Sequence, residues 1–232
     1  MTKSVSKFTA FDRFAQEYDN WFDVHPYAYQ SEMEAIRRFI PRGGTGIEVG
    51  VGTGRFSMPF GIAIGVEPSE SMATIARSRG IEVKQAKAEK LPFANGTFDF
   101  VLLVNVICFL ADPPASLKES YRILRPNGQI ILAFIDKKTK LGRGYESRKA
   151  SNKFYQKATF YSAQQVIGFL KKSDFGGIQA CQTILANPAE MTSPDTVLEG
   201  YGQGGFVVLK GLKGYKIELR CQKSFPGRNA KV

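Results

Sequence analysis

The residues in this chain best suited to chemistry are two carboxylates and three glycines. The run Ile47-Glu48-Val49-Gly50-Val51-Gly52-Thr53-Gly54 sets glycines at alternate positions behind a short apolar stretch, and Glu67 follows 17 residues after Gly50. Glycines in such a series serve a backbone that takes positive φ or lets a ligand approach closely. A dinucleotide turn, G-x-G-x-x-G, needs its third glycine where Arg55 stands, and a P-loop needs a Gly-Lys-Ser/Thr that does not follow. An anion at Glu48, just ahead of the turn, repels a pyrophosphate but suits an ammonium group. Glu67 closes the apolar run Ile62 to Val66, where a carboxylate can accept both hydroxyls of a ribose. The pattern predicts a ribonucleoside ligand without phosphates.

Those carboxylates and glycines must sit at the ends of strands, and the chain alternates helical and strand patterns accordingly. Phe8 to Phe22 and Tyr29 to Ile40 carry apolar residues at helical spacing, and Pro41 with Gly43-Gly44 ends the second. Thr45 to Val49 is the first strand; the 12 residues from Gly50 to Gly61 leave room for only a short crossover helix ending near Pro59. A helix from Ser69 to Arg79 stops at Gly80, and Ile81 to Gln85 is a third strand. Phe98 to Val106 is nearly all apolar, as a central parallel strand must be. Pro113-Pro114 open a helix to Leu124, with Asp112 as its cap, and Pro126-Asn127-Gly128 turn into the strand Gln129 to Asp136. Ser162 caps a helix to Lys172, and Ile178 to Leu185 pairs with Phe206 to Leu209. Alternation of this kind predicts an α/β, doubly wound, mostly parallel sheet with helices on both faces.

Five collinear blocks carry a family resemblance: Glu48 to Gly54, Gly65-Val66-Glu67-Pro68-Ser69, Ala88-Glu89-Lys90-Leu91-Pro92-Phe93, Phe98-Asp99, and Leu124 to Gly128. Across roughly residues 45 to 135 the chain resembles the class I S-adenosylmethionine-dependent methyltransferases, in their type-11-like small-molecule subgroup. The resemblance implies a Rossmann-like, seven-stranded sheet, S-adenosylmethionine as donor, S-adenosylhomocysteine as product and a small-molecule methyl acceptor as partner. It implies that Val49, Gly50, Gly52 and Gly54 line the methionine part and that Glu48 acts near its ammonium. Glu67, with Pro68 and Met72 beside it, would hold the ribose, Ala88 and Glu89 the adenine, and Asn105 the sulfonium side. Singly, a strand-end carboxylate can be merely solvated and Asn105 a satisfied polar group; together they converge on one crevice at the strands' carboxyl ends.

Two positions depart from the wider superfamily. Lys87 stands where many relatives have Asp and cannot accept from an adenine amino group. Cys108-Phe109 replaces a pair of histidines found after strand four in relatives, so that loop offers no general base. The stretch Phe14 to Phe22 resembles the Y-D-x-W-F helix that small-molecule members fold over the cofactor, which makes Tyr18, ahead of Trp21, the expected lid residue. The alternative is a plain apolar helix face of Phe11, Phe14, Tyr18, Trp21 and Phe22. His25, the one histidine, reads as a loop or capping residue. Methyl transfer from a sulfonium needs no obligatory acid or base, so no catalytic residue is assigned; Tyr145 and His25 are candidates for mutation.

At 232 residues and 43% hydrophobic, the chain is expected to form a single domain. Residues 1–44 are a helical cap, 45–136 the cofactor core, 137–161 a basic lid and 162–232 a C-terminal helix with strands. The longest apolar run, Phe100 to Ala111, is too short for a membrane span, and no secretory leader is expected behind Met1. Cys108, Cys181 and Cys221 are odd in number and far apart, which fits a cytoplasmic protein and argues against a disulfide framework or a metal site. Of the net charge of +11, residues 137 to 157 hold +7 and residues 209 to 232 hold +6, leaving −2 elsewhere. Tyr145, Phe154 and Tyr155 lie within the first basic segment. An RNA or DNA methyltransferase using those segments is therefore an alternative to a small-molecule enzyme. Asp112-Pro113-Pro114-Ala115 does not support it, because the D-P-P-aromatic motif of base methylases sits directly at the end of strand four and ends in an aromatic. A protein that binds the cofactor without turnover is a third reading.

Overall fold

Strand β4 (Phe98–Val104) shows how the sequence organises the sheet: six of its seven residues are buried, because both faces are covered. Val101 and Leu103 join one core cluster with Leu117, Val166 and Leu170, whereas Phe100, Leu102 and Val104 join another with Met33 and Ile36. Side chains alternate across a strand, so one apolar run feeds both layers. Each fully buried Leu, Ile or Val contributes about 1.5–3 kcal/mol relative to exposure.

The computed structural model describes residues 9–215. Phe8 and the basic stretch from 216 to 232 lie outside the described residues. Helices α1 (Thr9–Arg13), α2 (Ala15–Val24) and α3 (Pro26–Arg37) precede β1 (Gly46–Val49). Then come β2 (Ile64–Val66), α4 (Glu70–Ser78), β3 (Glu82–Lys84), β4, α5 (Pro113–Ile123) and β5 (Leu124–Ile135). Helices α6 (Lys140–Arg148) and α7 (Ala163–Lys172) lead to β6 (Phe175–Thr183), β7 (Leu198–Glu199) and β8 (Phe206–Lys213). The sheet order is β3-β2-β1-β4-β5-β8-β6-β7, with β1 to β5 parallel and β8 antiparallel between β5 and β6. That makes eight strands where the family pattern implies seven; the extra one is the two-residue β7 on the edge.

Local signals account for most boundaries. Ser69 caps α4, Asp112 Oδ1 accepts the Ala115 N–H at 3.0 Å, and Ser162 with Gln165 forms a reciprocal capping box on α7. Three expectations are corrected. The first helical stretch is broken at Phe14 (φ −126°, ψ 30°) into α1 and α2, and the next helix starts earlier, with Pro26 in its first turn. The first crossover contains no α-helix, only turns and a 3₁₀ turn at Met58–Phe60, because three positive-φ glycines and Pro59 leave no helical register.

Two of the five sequence blocks serve the scaffold. Arg125 donates to Asp99 at 2.7 Å and Asp99 accepts the Thr45 N–H at 2.7 Å, tying β1, β4 and β5 together at their amino ends. Arg122 holds the Leu91 and Phe93 carbonyls at 3.0 and 2.7 Å.

Candidate functional site

The chain leaves β1 through a turn that glycine alone adopts without strain. Gly50, Gly52 and Gly54 have φ of +76°, +54° and +84°. A Cβ on Gly50 would overlap Val106, and one on Gly54 would lie 2.5 Å from Ile81 Cδ1, so close packing fixes these two as well. At Gly52 a Cβ would meet only Met72 Cε, at 3.4 Å, because this residue faces open space.

That space is a cavity of about 830 Å³ outside the carboxyl ends of β1, β2 and β4, at the point where strand order reverses. Nine of the twelve expected site residues line it: Tyr18, Gly50, Gly52, Glu67, Pro68, Met72, Ala88, Glu89 and Asn105. Glu48, Val49 and Gly54 are not in its wall. Glu48 is 1% exposed and its Oε2 accepts the Ser57 hydroxyl at 2.5 Å, so it braces the turn from behind. Burial pushes the Glu48 carboxyl up to about 8.

Glu67 is placed differently. Its Oε2 accepts the Gly52 N–H and its Oε1 the Ser69 N–H, both at 3.0 Å, so one carboxylate spans the glycine turn and the cap of α4. Burial raises its pKa to about 7, against those two bonds, which favour the anion. Asn105 leaves β4 at φ +55°, an unusual region for a side-chain-bearing residue, while its N–H donates to the Ala133 carbonyl at 2.8 Å. Glu89 Oε1 accepts the Ala111 N–H at 2.9 Å, closing the far wall.

The model of a family described as "Methyltransferase domain" matches residues 47–132, which hold the glycine turn and Glu67. The crystal structure of a SAM-dependent methyltransferase, possible histamine N-methyltransferase, from Thermotoga maritima is 46% identical with a TM-score of 0.87. That match covers 89% of this chain and 99% of the other. The chain belongs to the class I S-adenosylmethionine-dependent methyltransferases. An uncharacterised protein of Methanocaldococcus jannaschii is 47% identical, the match covering 88% of this chain and 98% of the relative. Phosphoethanolamine N-methyltransferase 2 of Haemonchus contortus, in complex with phosphomonomethylethanolamine and S-adenosylhomocysteine, shares the fold at TM-score 0.65 and 17% identity. That match covers 92% of this chain and 61% of the other. The methyl donor is S-adenosylmethionine and the product S-adenosylhomocysteine. The three positive-φ glycines, the open side of Gly52 and the backbone-held Glu67 fit that donor.

The methyltransferase's cap is anchored by residues that motif reading missed. Arg55, the position that excluded a dinucleotide turn, forks onto Asp19 of α2 at 2.7 and 2.9 Å and onto Asp23 at 2.6 and 2.8 Å. Arg79 at the end of α4 reaches the same Asp19 carboxylate at 2.8 Å through both amino groups. Aromatic residues extend the cap: Phe11 contacts Tyr18, Phe109 and Phe154 with ring centroids 5.6, 5.1 and 5.5 Å apart. Phe154 lies in the basic segment beyond α6, and neighbouring Lys153 pairs with Glu17 of α2. Phe11, Lys87 and Phe109 thus join the cavity wall.

His25 is not in that wall; it stacks on Trp21 with centroids 4.6 Å apart, its Nδ1 lying 3.0 Å from the Trp21 carbonyl. Tyr145 packs on Tyr155 and Phe160, with ring centroids 5.2 and 6.1 Å apart. Among the described residues no cluster of His, Cys, Asp and Glu is able to hold a metal ion, and no helix is long and apolar enough to cross a membrane.

Proposed function

We propose that this methyltransferase modifies a small-molecule acceptor admitted between its helical cap and its lid. The observation that carries this reading is the roof of the cavity, built from Tyr18, Phe11 and Phe109 with Phe154 packed behind them. An acceptor that must fit under such a roof is small.

When bound, the donor supplies an activated methyl group on a sulfonium. The chain's own residues bind, orient and exclude water. Glu67 accepts from the ribose, Pro68 and Met72 pack beside it, and Ala88 and Glu89 flank the adenine. The Gly50 and Gly52 backbone faces the methionine portion, with Val49 and Gly54 shaping the turn and Glu48 bracing it from behind through Ser57. Asn105 stands on the sulfonium side, and Tyr18 closes the site. Exclusion of water strengthens each polar contact, and positioning then supplies most of the rate. The odd, separated cysteines favour a reducing, cytoplasmic setting.

The exposed cations of α6, Lys140, Arg143 and Arg148, favour nucleic acid as the second reading. Transfer of a labelled methyl group to members of a small-acceptor library supports the first reading. Transfer only to RNA or DNA, with binding that weakens steeply above about 0.1 M salt, replaces it with the second. Tight donor binding with no transfer to either makes the protein a cofactor-binding module.

A further inference from the structure

Asn105, Asn127, Asp174 and Ile184 are the residues other than glycine with positive φ among the described residues, and of these only Asn105 stands in the wall of the donor cavity. Both of its backbone groups are engaged. The N–H donates to the Ala133 carbonyl at 2.8 Å, and the carbonyl accepts the Cys108 thiol at 3.5 Å. The Asn105 carboxamide makes no hydrogen bond among the described residues. Partly buried polar groups are ordinarily paired, so a strained, firmly held backbone that brings a free amide to a cavity marks a ligand contact.

The wall around that amide has a distinct chemistry. Its charged residues, Glu67, Lys87 and Glu89, belong to the ribose and base end of the proposed donor pose. Both carboxylates are already engaged, Glu67 by the Gly52 and Ser69 N–H groups and Glu89 by that of Ala111. Beside Asn105 the wall is apolar: Val104 and Val106 flank it in sequence, and Phe109, Phe11 and Tyr18 form the roof. Tyr18 adds one hydroxyl, which burial keeps protonated by pushing its pKa well up. An alkyl amine reaches such a wall as its ammonium and must shed a proton before it attacks, and a phenol must shed one too. An aromatic amine is neutral near pH 7, keeps its lone pair available and packs its ring on other rings.

We infer that Asn105 selects and orients the acceptor, and that the acceptor is a neutral aromatic amine whose N–H donates to the Asn105 carboxamide oxygen while its ring packs under Phe11 and Phe109. This rests on the methyltransferase reading and its donor pose, and adds the substrate class to it. Holding the N–H fixes the direction of the nitrogen lone pair, which forms the new bond to the methyl carbon. The carbon–sulfur bond breaks, its electron pair stays on sulfur, and nitrogen takes the positive charge that the sulfonium loses. As that charge grows the N–H becomes a stronger donor, so the Asn105 bond tightens in the transition state. The methylated nitrogen then passes one proton to water and leaves as a neutral amine.

The test uses the full chain, labelled S-adenosylmethionine and a panel of substituted anilines, each paired with the phenol and the benzylamine of the same substitution. Near neutral pH the wild-type protein should methylate anilines with kcat/KM at least tenfold above both counterparts. Asn105→Gly, which accepts the positive φ and removes the carboxamide, should lose at least 100-fold in aniline kcat/KM while S-adenosylhomocysteine affinity by calorimetry stays within about threefold. Asn105→Asp, which keeps an oxygen for the N–H and tolerates that φ, should recover to within about tenfold of wild type. A role confined to the turn predicts the reverse order, because glycine suits that backbone best. Phenols or benzylamines methylated as well as anilines, or no aniline methylated by a wild-type protein that binds the donor, overturns the proposal even if a variant fails to fold. Undiminished aniline methylation by Asn105→Gly also overturns it; each of these results leaves the methyltransferase reading standing. Failure of the wild-type protein to bind the donor would instead remove that underlying reading.

Discussion

Asp19 and Arg55 join the helical cap to the cofactor turn: the guanidinium of Arg55 donates to both carboxylate oxygens of Asp19, which is 3% exposed. Arg79 approaches the same carboxylate from α4. Burial works against the Asp19 anion, but the hydrogen bonds from Arg79 and Arg55 outweigh it and hold the carboxyl well below the usual range. The glycine turn, the cap and α4 thus share one anion, and the cap's position over the cavity depends on it.

Asp19→Asn should therefore destabilise the protein by about 3 kcal/mol, since it leaves two partly buried guanidiniums short of a counter-charge. Urea denaturation measures the loss. Donor affinity should fall in the same variant, because Tyr18 sits one residue away on the helix that is no longer clamped.

Donor binding should strengthen as pH rises from 6 to 8. Burial lifts the Glu67 carboxyl to about 7, so protonation in the lower half of that window removes the anion proposed to accept from a ribose hydroxyl. Calorimetry should find affinity about tenfold weaker at pH 6 than at pH 8. In Glu67→Gln affinity should be weak and flat with pH; a wild-type slope persisting in that variant assigns the titration elsewhere.

Glu48 raises the opposite issue, one of stability. Its carboxyl moves from an ordinary 4.5 up to about 8 because burial disfavours the charge. The folded state keeps this proton to higher pH than the unfolded chain does. Stability is therefore unaffected below 4.5 and declines as pH climbs through 4.5 to 8. Glu48→Gln, which preserves an acceptor for Ser57, should be more stable than wild type by roughly 2 kcal/mol at pH 9 and nearly equal to it at pH 4. Thermal melts across that range give the comparison.

Cysteine alkylation gives a chemical check on packing. Burial pushes the Cys108 thiol up to about 12 and the Cys181 thiol up to about 11, so neither supplies thiolate at pH 8. Iodoacetamide should leave both unmodified in the folded protein and label both in urea, as read by peptide mass spectrometry.

What could be read directly from the chain was what local backbone chemistry dictates. Gly50, Gly52 and Gly54 announced a turn because positive φ is a property of single residues, and the structure shows all three there. Glu67, Ala88, Glu89 and Asn105 fell at the ends of apolar runs, and a parallel sheet brings such ends to one cavity. Ser162 and Asp112 were legible as caps because capping acts within three residues. Periodicity was less informative at Phe14, where the aromatic face continues unbroken although the helix does not.

Tertiary structure alone decided which charges meet. Arg55 signalled only the absence of a glycine, yet it became the cap's anchor through Asp19, 36 residues away. Glu48 matched a motif but turned to Ser57 and away from the cavity, since the strand-end backbone faces the ligand and its side chain faces the core. Glu32 belonged to no motif and looked like an ordinary helix-surface acid until packing enclosed it. Burial and pairing depend on segments distant in sequence, and no spacing rule reports them. The glycine turn is thus written in contiguous residues, whereas the roof over the cavity is assembled from Phe11, Tyr18, Phe109 and Phe154, which meet only in the folded chain.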